Sequence, residues 1–346
     1  MATSASKAPG RAGHAVWFES NRRAVVRAEV VAAPGPGELT IRARSSLISQ
    51  GTEMQVYRGQ ISAETDLGLE TCAGSFAFPV KYAYQVVGVV DAVGPDVPYR
   101  PGDLVFARHP HQDLFTMRNN PDLLFKLPSN MDPEVAIFAN LADVALNALL
   151  DVPIRLGDVV VVFGQGIVGT FCGLFARKSA GKLIVVDPLA DRRQRALRLG
   201  ADAAVTPEDL PAVVSTLTNG RGVDVAIEAS SAPPALQQAI MATGQEGTIA
   251  VVSYYGTRPV TLTLAPEFHF RRHRIVSSQV SSLGSGLQPR WSFGRRMNVV
   301  LDLLAKLPVK EMVTHHFDLA DAPAAYEFVD MRANETLGVV FDYPTR

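Results

Sequence analysis

Residues 158–187 read DVVVVFGQGIVGTFCGLFARKSAGKLIVVD, and this stretch decides the fold of the chain around it. Its first apolar run, 159–163, is rich in β-branched residues, as in a strand buried on both faces. The spacing G-x-G-x-x-G follows, and a helix-compatible segment comes next. A second apolar run ends at Asp187, roughly 20 residues after the glycines, and this context makes the motif specific. The stretch therefore predicts a strand–helix–strand unit that binds a dinucleotide.

Each part of this unit has a role in holding the dinucleotide. Gly164 allows a tight turn, Gly166 lets a pyrophosphate approach the backbone, and Gly169 lets helix and strand pack closely. The helix N-terminus offers free N–H groups and the positive end of its dipole to the phosphates. Asp187 can accept hydrogen bonds from a ribose diol and would repel a 2′-phosphate, so it favours NAD. Arg192 leaves NADP open, because an arginine there could hold that phosphate.

Composition excludes several classes of protein. A chain of 346 residues is long for one core, so two domains are expected. The net charge of −1 argues against nucleic acid or an anionic membrane as the main partner, and no apolar run is long enough to span a bilayer. Residues 1–13 are mostly small and polar, which predicts a disordered tail rather than a secretion signal. The two cysteines, Cys72 and Cys172, suit a reducing cytoplasm.

The pattern of predicted strands and helices differs before and after residue 158. Before it, short strand candidates separated by Pro/Gly turns predict a small β domain, with strands at 15–18, 25–31, 38–45, 85–93 and 103–107. A helix is predicted at 135–150, with Asp132 as its N-cap. After it, strands alternate with helices, which predicts a doubly wound parallel sheet. The predicted strands lie at 159–163, 183–186, 203–205, 223–228, 248–254 and 274–279. The predicted helices lie at 167–179, 191–199, 209–218, 233–243 and 293–307.

The whole pattern resembles the medium-chain dehydrogenase/reductase superfamily, from about residue 14 to residue 344. The β-rich start, the Pro101-Gly102-Asp103 turn, the glycine unit and the ending from Thr314 to Val340 carry the resemblance. It implies an α/β fold with a GroES-like β-rich catalytic domain (14–141 and 309–346) and a Rossmann domain (142–308). It also implies an active site in the cleft and a homodimer paired through the Rossmann edge strand. Segments 46–54 and 106–115 resemble a subgroup that includes bacteriochlorophyllide-type dehydrogenases.

The departures from the family concern its metal. Zinc-dependent relatives supply three ligands, and the corresponding positions here are Ser49, Tyr84 and about Asn140. The four-cysteine loop of a structural zinc is absent from the sequence. Neutral Ser, Tyr and Asn are poor zinc ligands. The sequence therefore predicts an enzyme without zinc, in which hydrogen-bond donors stabilise the developing oxyanion.

Several side chains are candidates for that task, and each has an alternative. Tyr84 is either a proton donor assisted by the cation of Lys81 or a filler of the vacated metal space. His109 and His111 form an H-x-H pair, which is either the start of a metal site or places one imidazole as a substrate-binding or proton-relay residue.

Glu53 and Asn140 are two further candidates. Glu53, which with Thr52 follows Ser49, either bonds the nicotinamide ribose or relays protons, or it is a charge at a helix start. Asn140 either binds substrate or caps local backbone.

Residues at the carboxyl ends of parallel strands face the nucleotide. Ser253 is expected at the nicotinamide ribose by resemblance, Tyr254 on the substrate side, and Gln279 at the carboxamide. The predicted cofactor contacts are Gly164, Gln165, Gly166, Ile167, Val168, Gly169, Asp187, Arg192, Ala229, Ser230, Ser253, Tyr254 and Gln279.

The leading hypothesis is a zinc-independent, NAD(H)-dependent oxidoreductase. It would act on a secondary alcohol or ketone of a specialised biosynthetic metabolite, a small molecule. The first alternative is an NADPH-dependent enoyl or quinone reductase. The second is a dinucleotide-binding protein without catalytic activity.

Overall fold

A computed structural model describes residues 10–65 and 75–344 of the chain. The first nine residues of the predicted tail and Cys72 lie outside the described residues. The described residues include no helix long and apolar enough to cross a membrane.

Secondary structure is given in chain order. The elements up to residue 151 are β1 (Arg11–Ser20), β2 (Arg23–Val31), β3 (Glu38–Ile48), α1 (Thr52–Tyr57), β4 (Val86–Val93), β5 (Leu104–Ala107), β6 (Leu114–Arg118), β7 (Leu124–Lys126), α2 (Pro133–Ala136) and α3 (Ala139–Asp151). The following elements are β8 (Val159–Phe163), α4 (Ile167–Ala176), β9 (Lys182–Val186), α5 (Ala190–Arg198), β10 (Ala203–Val205), α6 (Leu210–Thr218), β11 (Val223–Glu228), α7 (Pro233–Ala242), β12 (Thr243–Val251), α8 (Glu267–Phe270) and β13 (Arg274–Ser277). The chain ends with α9 (Phe293–Leu304), β14 (Val313–Asp318), α10 (Ala322–Met331) and β15 (Gly338–Asp342).

The chain divides into two compact units. One comprises residues 1–140 and 297–346, and the other comprises residues 141–296. The second unit thus ends inside α9, whereas the sequence placed that boundary at residue 308.

The first unit is built on a mixed sheet. Its strand order is β14-β15-β3-β4-β5-β7, and β6 also pairs with β3. β15 runs antiparallel to β3, so the C-terminal segment joins the sheet formed by the start of the chain. β1 and β2 form a separate hairpin sheet. The core between these layers contains fully buried aromatic side chains, including Phe18, Tyr326 and Phe341.

The second unit contains the predicted parallel sheet. Its order is β10-β9-β8-β11-β12-β13, with every pairing parallel. All five residues of β8 are buried, as expected for a strand covered on both faces. The strand order reverses between β8 and β11, which is where nucleotides bind in sheets of this kind. The predicted α/β fold class is confirmed.

Several predicted boundaries were wrong. β1 begins at Arg11, inside the predicted tail. The helix predicted at 135–150 is two helices, because Phe138 N–H bonds the carbonyl of Val135 three residues back instead of four. β12 ends at Val251 and β13 at Ser277, so Ser253, Tyr254 and Gln279 follow their strands instead of ending them.

Candidate functional site

The glycine loop between β8 and α4 has the shape that a pyrophosphate needs. Gly164 has φ of +86°, and its N–H donates to Val186 O at 2.8 Å. A Cβ at Gly169 would lie 1.9 Å from Gly164 O, so only glycine fits between helix and loop. A Cβ at Gly166 would meet no atom within 4 Å. The loop therefore leaves open space on the side where the second glycine is expected to receive phosphate.

The first turn of α4 supplies the donors beside this loop. Gly166 is the N-cap and has no side chain to bond the helix N–H groups. Ile167 and Val168 occupy the first two helical positions. Their N–H groups lie in the turn that lacks intrahelical acceptors, so they can bind an anion. The residues of this loop thus fit a dinucleotide.

Asp187 is more enclosed than the sequence indicated. Its side chain is 3% exposed, and its two oxygens accept the N–H groups of Gln165 at 2.8 Å and Leu189 at 2.9 Å. Arg192 Nη1 lies 3.9 Å from one of these oxygens. A carboxylate can accept further hydrogen bonds, so a ribose diol remains a chemically reasonable partner. Asp187 also holds the glycine loop itself, a role that the sequence did not predict.

Two more arginines lie close to Asp187 and the glycine loop. Arg193 Nη1 donates to the carbonyls of Asp187 and Pro188, at 2.7 and 2.8 Å. Arg195 Nη2 donates to Gln165 O at 2.9 Å. The end of β9 is therefore positively charged around a single buried acid. Arg195 was missed because its reach to Gln165 depends on how α5 packs against the loop.

The loops after β11 and β12 meet through Glu228. Its carboxylate accepts from Ser230 N, Ser230 Oγ and Tyr255 Oη, at 2.7, 2.5 and 2.6 Å. Ser253 Oγ accepts from Ser231 N at 2.8 Å. The sequence predicted cofactor contacts in these loops, but it did not predict that Glu228 and Tyr255 join them.

Three more of the predicted cofactor residues lie in these loops or follow β13, and each has a different environment. Ala229 N donates to Phe163 O at 2.9 Å, which ties the loop to the end of β8. Tyr254 is 41% exposed. Gln279 Oε1 accepts from the Ser281 N–H and hydroxyl, so its carbonyl oxygen is engaged with its own loop.

In the first unit, two of the positions that correspond to zinc ligands in relatives carry hydroxyl groups that bond each other. Tyr84 Oη donates to Ser49 Oγ at 2.6 Å. Ser49 is 2% exposed. The Ser49 backbone N–H donates to Glu53 Oε2 at 2.9 Å, so the first turn of α1 holds the serine in place.

Glu53 is the centre of a buried polar network. It is 0% exposed and accepts from His111 Nε2 at 3.0 Å and from Tyr326 Oη. His111 Nδ1 lies 2.7 Å from Ser46 Oγ, which lies 2.7 Å from Tyr343 Oη. Ser46 thus links the His111 ring to the Tyr343 hydroxyl. Tyr326 and Tyr343 were missed, because only tertiary packing brings the end of the chain to this place.

This network corrects the predicted roles of Glu53 and His111. Neither side chain is accessible to a substrate, since both have side-chain exposures of 0%. Glu53 reaches Ser49 through a backbone N–H, which is not a proton-relay group. Its bond to that N–H instead orients the hydroxyl pair.

His109 is held differently from His111. Its ring stacks on Phe115, with centroids 3.7 Å apart, and Nδ1 lies 2.9 Å from Pro110 O. Burial lowers the pKa of His109 to about 3, so the imidazole is neutral near pH 7. His109 and His111 both belong to the loop between β5 and β6.

Asn140 and Lys81 also have protein partners. Asn140 Oδ1 accepts from Arg108 Nε at 2.8 Å, and Arg108 also donates to Asp122 O. Lys81 Nζ forms an ion pair with Glu29 at 2.9 Å and contacts Gln112. Lys81 therefore neutralises Glu29, and its predicted assistance to Tyr84 is not the contact that the structure describes.

These residues do not fit a zinc ion. Two of the three positions carry neutral hydroxyls that bond each other, and the third accepts from a guanidinium cation. Neutral hydroxyl and amide oxygens are poor zinc ligands. The positive charge of the Arg108 guanidinium would also repel a zinc ion bound beside it. Across residues 10–65 and 75–344, no group of three or more His, Cys, Asp or Glu side chains is placed to hold a metal ion.

Comparison with known proteins gives the class of this chain. Residues 168–293 match the family described as zinc-binding dehydrogenase. D-guloside 3-dehydrogenase of Escherichia coli (strain K12) is 29% identical over 325 residues, which cover 88% of this chain and 93% of that protein. L-threonine 3-dehydrogenase of Pyrococcus furiosus is 27% identical over 345 residues, covering 90% and 92%. The crystal structure of 2R,3R-butanediol dehydrogenase from Bacillus subtilis has a TM-score of 0.79 at 21% identity, covering 96% and 100%.

The glycine loop, the two units and these relatives together define a dehydrogenase. The chain is an oxidoreductase, and it is similar to zinc-binding dehydrogenases of the medium-chain dehydrogenase/reductase class.

Proposed function

We propose that this protein is a zinc-independent, NAD(H)-dependent oxidoreductase that interconverts a secondary alcohol and a ketone. The observation that carries the proposal is the Ser49–Tyr84 hydroxyl pair at the positions of the metal ligands, in a chain that keeps the glycine loop and Asp187. The domain assignment is part of it: the first unit would bind substrate and the second the dinucleotide.

The hydroxyl pair can perform the task that a metal performs in relatives. Tyr84 donates to Ser49, which leaves the Ser49 O–H able to donate to a substrate oxygen. In the direction of ketone reduction, Ser49 gives its proton to the developing alkoxide, Tyr84 gives its proton to Ser49, and water reprotonates the half-buried Tyr84. Such preorganised donors stabilise negative charge that appears only in the transition state. The bound nicotinamide supplies or accepts the hydride.

The relatives and the site support a proposal for the substrate class. The relatives described above are named D-guloside 3-dehydrogenase and L-threonine 3-dehydrogenase. We therefore infer a small, hydroxylated molecule, and we keep a specialised biosynthetic metabolite as the finer proposal. Membership of the bacteriochlorophyllide-type subgroup and a cytoplasmic location also stay predictions.

Metal analysis and a cofactor titration test this function directly. The purified protein should contain far less than one zinc per chain and should bind NADH, while its activity should survive a chelator. Stoichiometric zinc whose removal abolishes activity would contradict the proposal, as would the absence of any nucleotide binding.

Substitution of the hydroxyl pair tests the mechanism. Tyr84→Phe should lower kcat by roughly 10²-fold, because it removes one proton donor. NADH affinity should stay unchanged. Tyr99→Phe is the matched control, since Tyr99 is a half-buried tyrosine in the same unit and should keep full activity. Equal kcat for both variants would remove Tyr84 from the mechanism.

A second function has one specific observation in its favour. Arg192, Arg193 and Arg195 lie around Asp187, and such a cluster is suited to the 2′-phosphate of NADP. An NADPH-dependent enoyl or quinone reductase would use it. Measuring the reduction of a ketone and of an enone with NADH and with NADPH separates the two functions. Only the enoyl or quinone reductase predicts that the enone with NADPH reacts fastest.

A further inference from the structure

The carboxylate of Glu228 is buried at the carboxyl end of β11 and has no part in the mechanism above. The residue is 0% exposed. It pairs in register with Phe163, the last residue of β8, which the glycine loop follows directly. β8 and β11 are the strands between which the sheet order reverses. Glu228 therefore lies at the edge of the crevice where the nucleotide is expected.

The partners of the Glu228 carboxyl group are three hydrogen-bond donors. One oxygen accepts the Ser230 N–H and hydroxyl, and the other accepts the Tyr255 hydroxyl. An ionised carboxylate can accept all three of these bonds. The three donors are neutral, so they solvate the negative charge without cancelling it.

The same residue connects two loops that carry predicted cofactor contacts. The Glu228 carbonyl accepts from Val252 N and Ser253 N at 2.9 and 3.3 Å. Its carboxylate reaches Ser230 on one loop and Tyr255 on the other. Arg258 on that loop donates from Nε to Tyr255 O at 3.1 Å. The Glu228 side chain thus joins the two loops that carry the predicted nicotinamide contacts.

We propose that Glu228 sets the preference of this site for the oxidised cofactor. The inference rests on the dinucleotide site of the proposed function. An oxidised nicotinamide ring carries a positive charge and a reduced ring carries none. A buried negative charge therefore stabilises the oxidised form selectively, and it does so more strongly than an exposed carboxylate would. Because the oxidised form is the one stabilised, the equilibrium between the two enzyme-bound states shifts toward NAD+ and alcohol, which is the direction of ketone reduction.

Glu228→Gln tests this proposal with little change of shape. The glutamine oxygen can keep the Ser230 bonds, and its amide can donate to the Tyr255 oxygen. Kd for NAD+ and NADH is measured by titration calorimetry, with NADP+ and NADPH as a parallel pair. We expect the affinity for the oxidised form to fall about fivefold or more relative to the reduced form. Glu208→Gln is the matched control: it removes an exposed carboxylate from the same unit and should leave the ratio unchanged.

Tyr255→Phe separates charge from loop position. It removes one donor and leaves the carboxylate charged, so the preference for the oxidised form should stay equal or rise. If the ratio falls in Tyr255→Phe as in Glu228→Gln, loop geometry rather than charge is responsible and the proposal is overturned. This variant also decides the matter if Glu228→Gln does not fold, as judged by circular dichroism.

The outcomes distinguish this inference from the proposed function. Wild-type protein that binds none of the four dinucleotides overturns both. Wild-type protein that binds them, with the same oxidised-to-reduced ratio in Glu228→Gln, overturns only the role of Glu228.

Discussion

His109 stacks on Phe115 in the interior of the first unit, and burial lowers its pKa to about 3 from the ordinary 6.5. The unfolded chain therefore binds a proton between these values that the folded chain does not bind. The contribution of His109 to the free energy of unfolding is therefore fully present above pH 6.5, and it is lost as the pH falls toward 3. The H-x-H spacing was visible in the sequence, but the stacking that makes His109 neutral was not.

A substitution at this position should change the acid sensitivity of the protein. Between pH 7 and pH 5 the histidine should cost the wild type about 2 kcal/mol of unfolding free energy, beyond what other groups cost. His109→Phe preserves the stack and should lose that part of the pH dependence. Urea unfolding at the two pH values measures it, and identical slopes for both proteins would show that His109 titrates normally.

Glu53 should contribute strongly to the free energy of unfolding, although it does not contact a substrate. Glu53→Ala leaves Ser49 N, His111 Nε2 and Tyr326 Oη without their buried acceptor. We expect a loss of about 3 to 5 kcal/mol in unfolding free energy. Glu64→Ala, an exposed glutamate of the same unit, should stay within about 0.5 kcal/mol. A loss below about 1 kcal/mol at Glu53 would mean that the network relaxes around the missing group.

Among elements, the β8–α4 connection was predictable because its determinants are local. Consecutive residues supply the strand, the turn and the helix start, and all were recognised. β6 and β7 were missed, since they are short and their pairing partners lie far away in the chain. Glu53 and Asn140 were singled out as candidates from position alone. Their partners, Tyr326 and Arg108, come from distant segments.

Two glycine substitutions separate the structural and binding roles of this connection. Gly169→Ala places a Cβ 1.9 Å from Gly164 O, so it should destabilise the second unit and lower the Tm by several degrees. Gly166→Ala meets no atom within 4 Å, so it should preserve Tm and weaken NADH binding, because the methyl group stands where phosphate approaches. Thermal unfolding and NADH titration measure both effects. Unchanged NADH affinity in Gly166→Ala would move the phosphate site elsewhere.

For the whole molecule, the homodimer remains a prediction, and β13 offers the place to test it. β13 lies at one edge of the second unit's sheet, and Ile275 on it is 36% exposed. An edge with free backbone groups can pair with a second copy. Ile275→Pro removes a backbone donor and should shift the protein toward monomer in sedimentation velocity. Phe270→Ser, an exposed residue outside the strand, is the control. A wild type that sediments as a monomer would end this prediction.

The sheet of the first unit has a consequence for synthesis of the protein. β15 pairs with β3, and Tyr343 from the same end reaches Ser46. A ribosome makes residues 297–346 only after the whole of the second unit. The second unit can thus acquire its structure on the nascent chain while β3 still lacks β15 and Glu53 still lacks the Tyr326 donor. The half that carries Ser49 and Tyr84 is consequently the one exposed longest to proteases and to aggregation during translation.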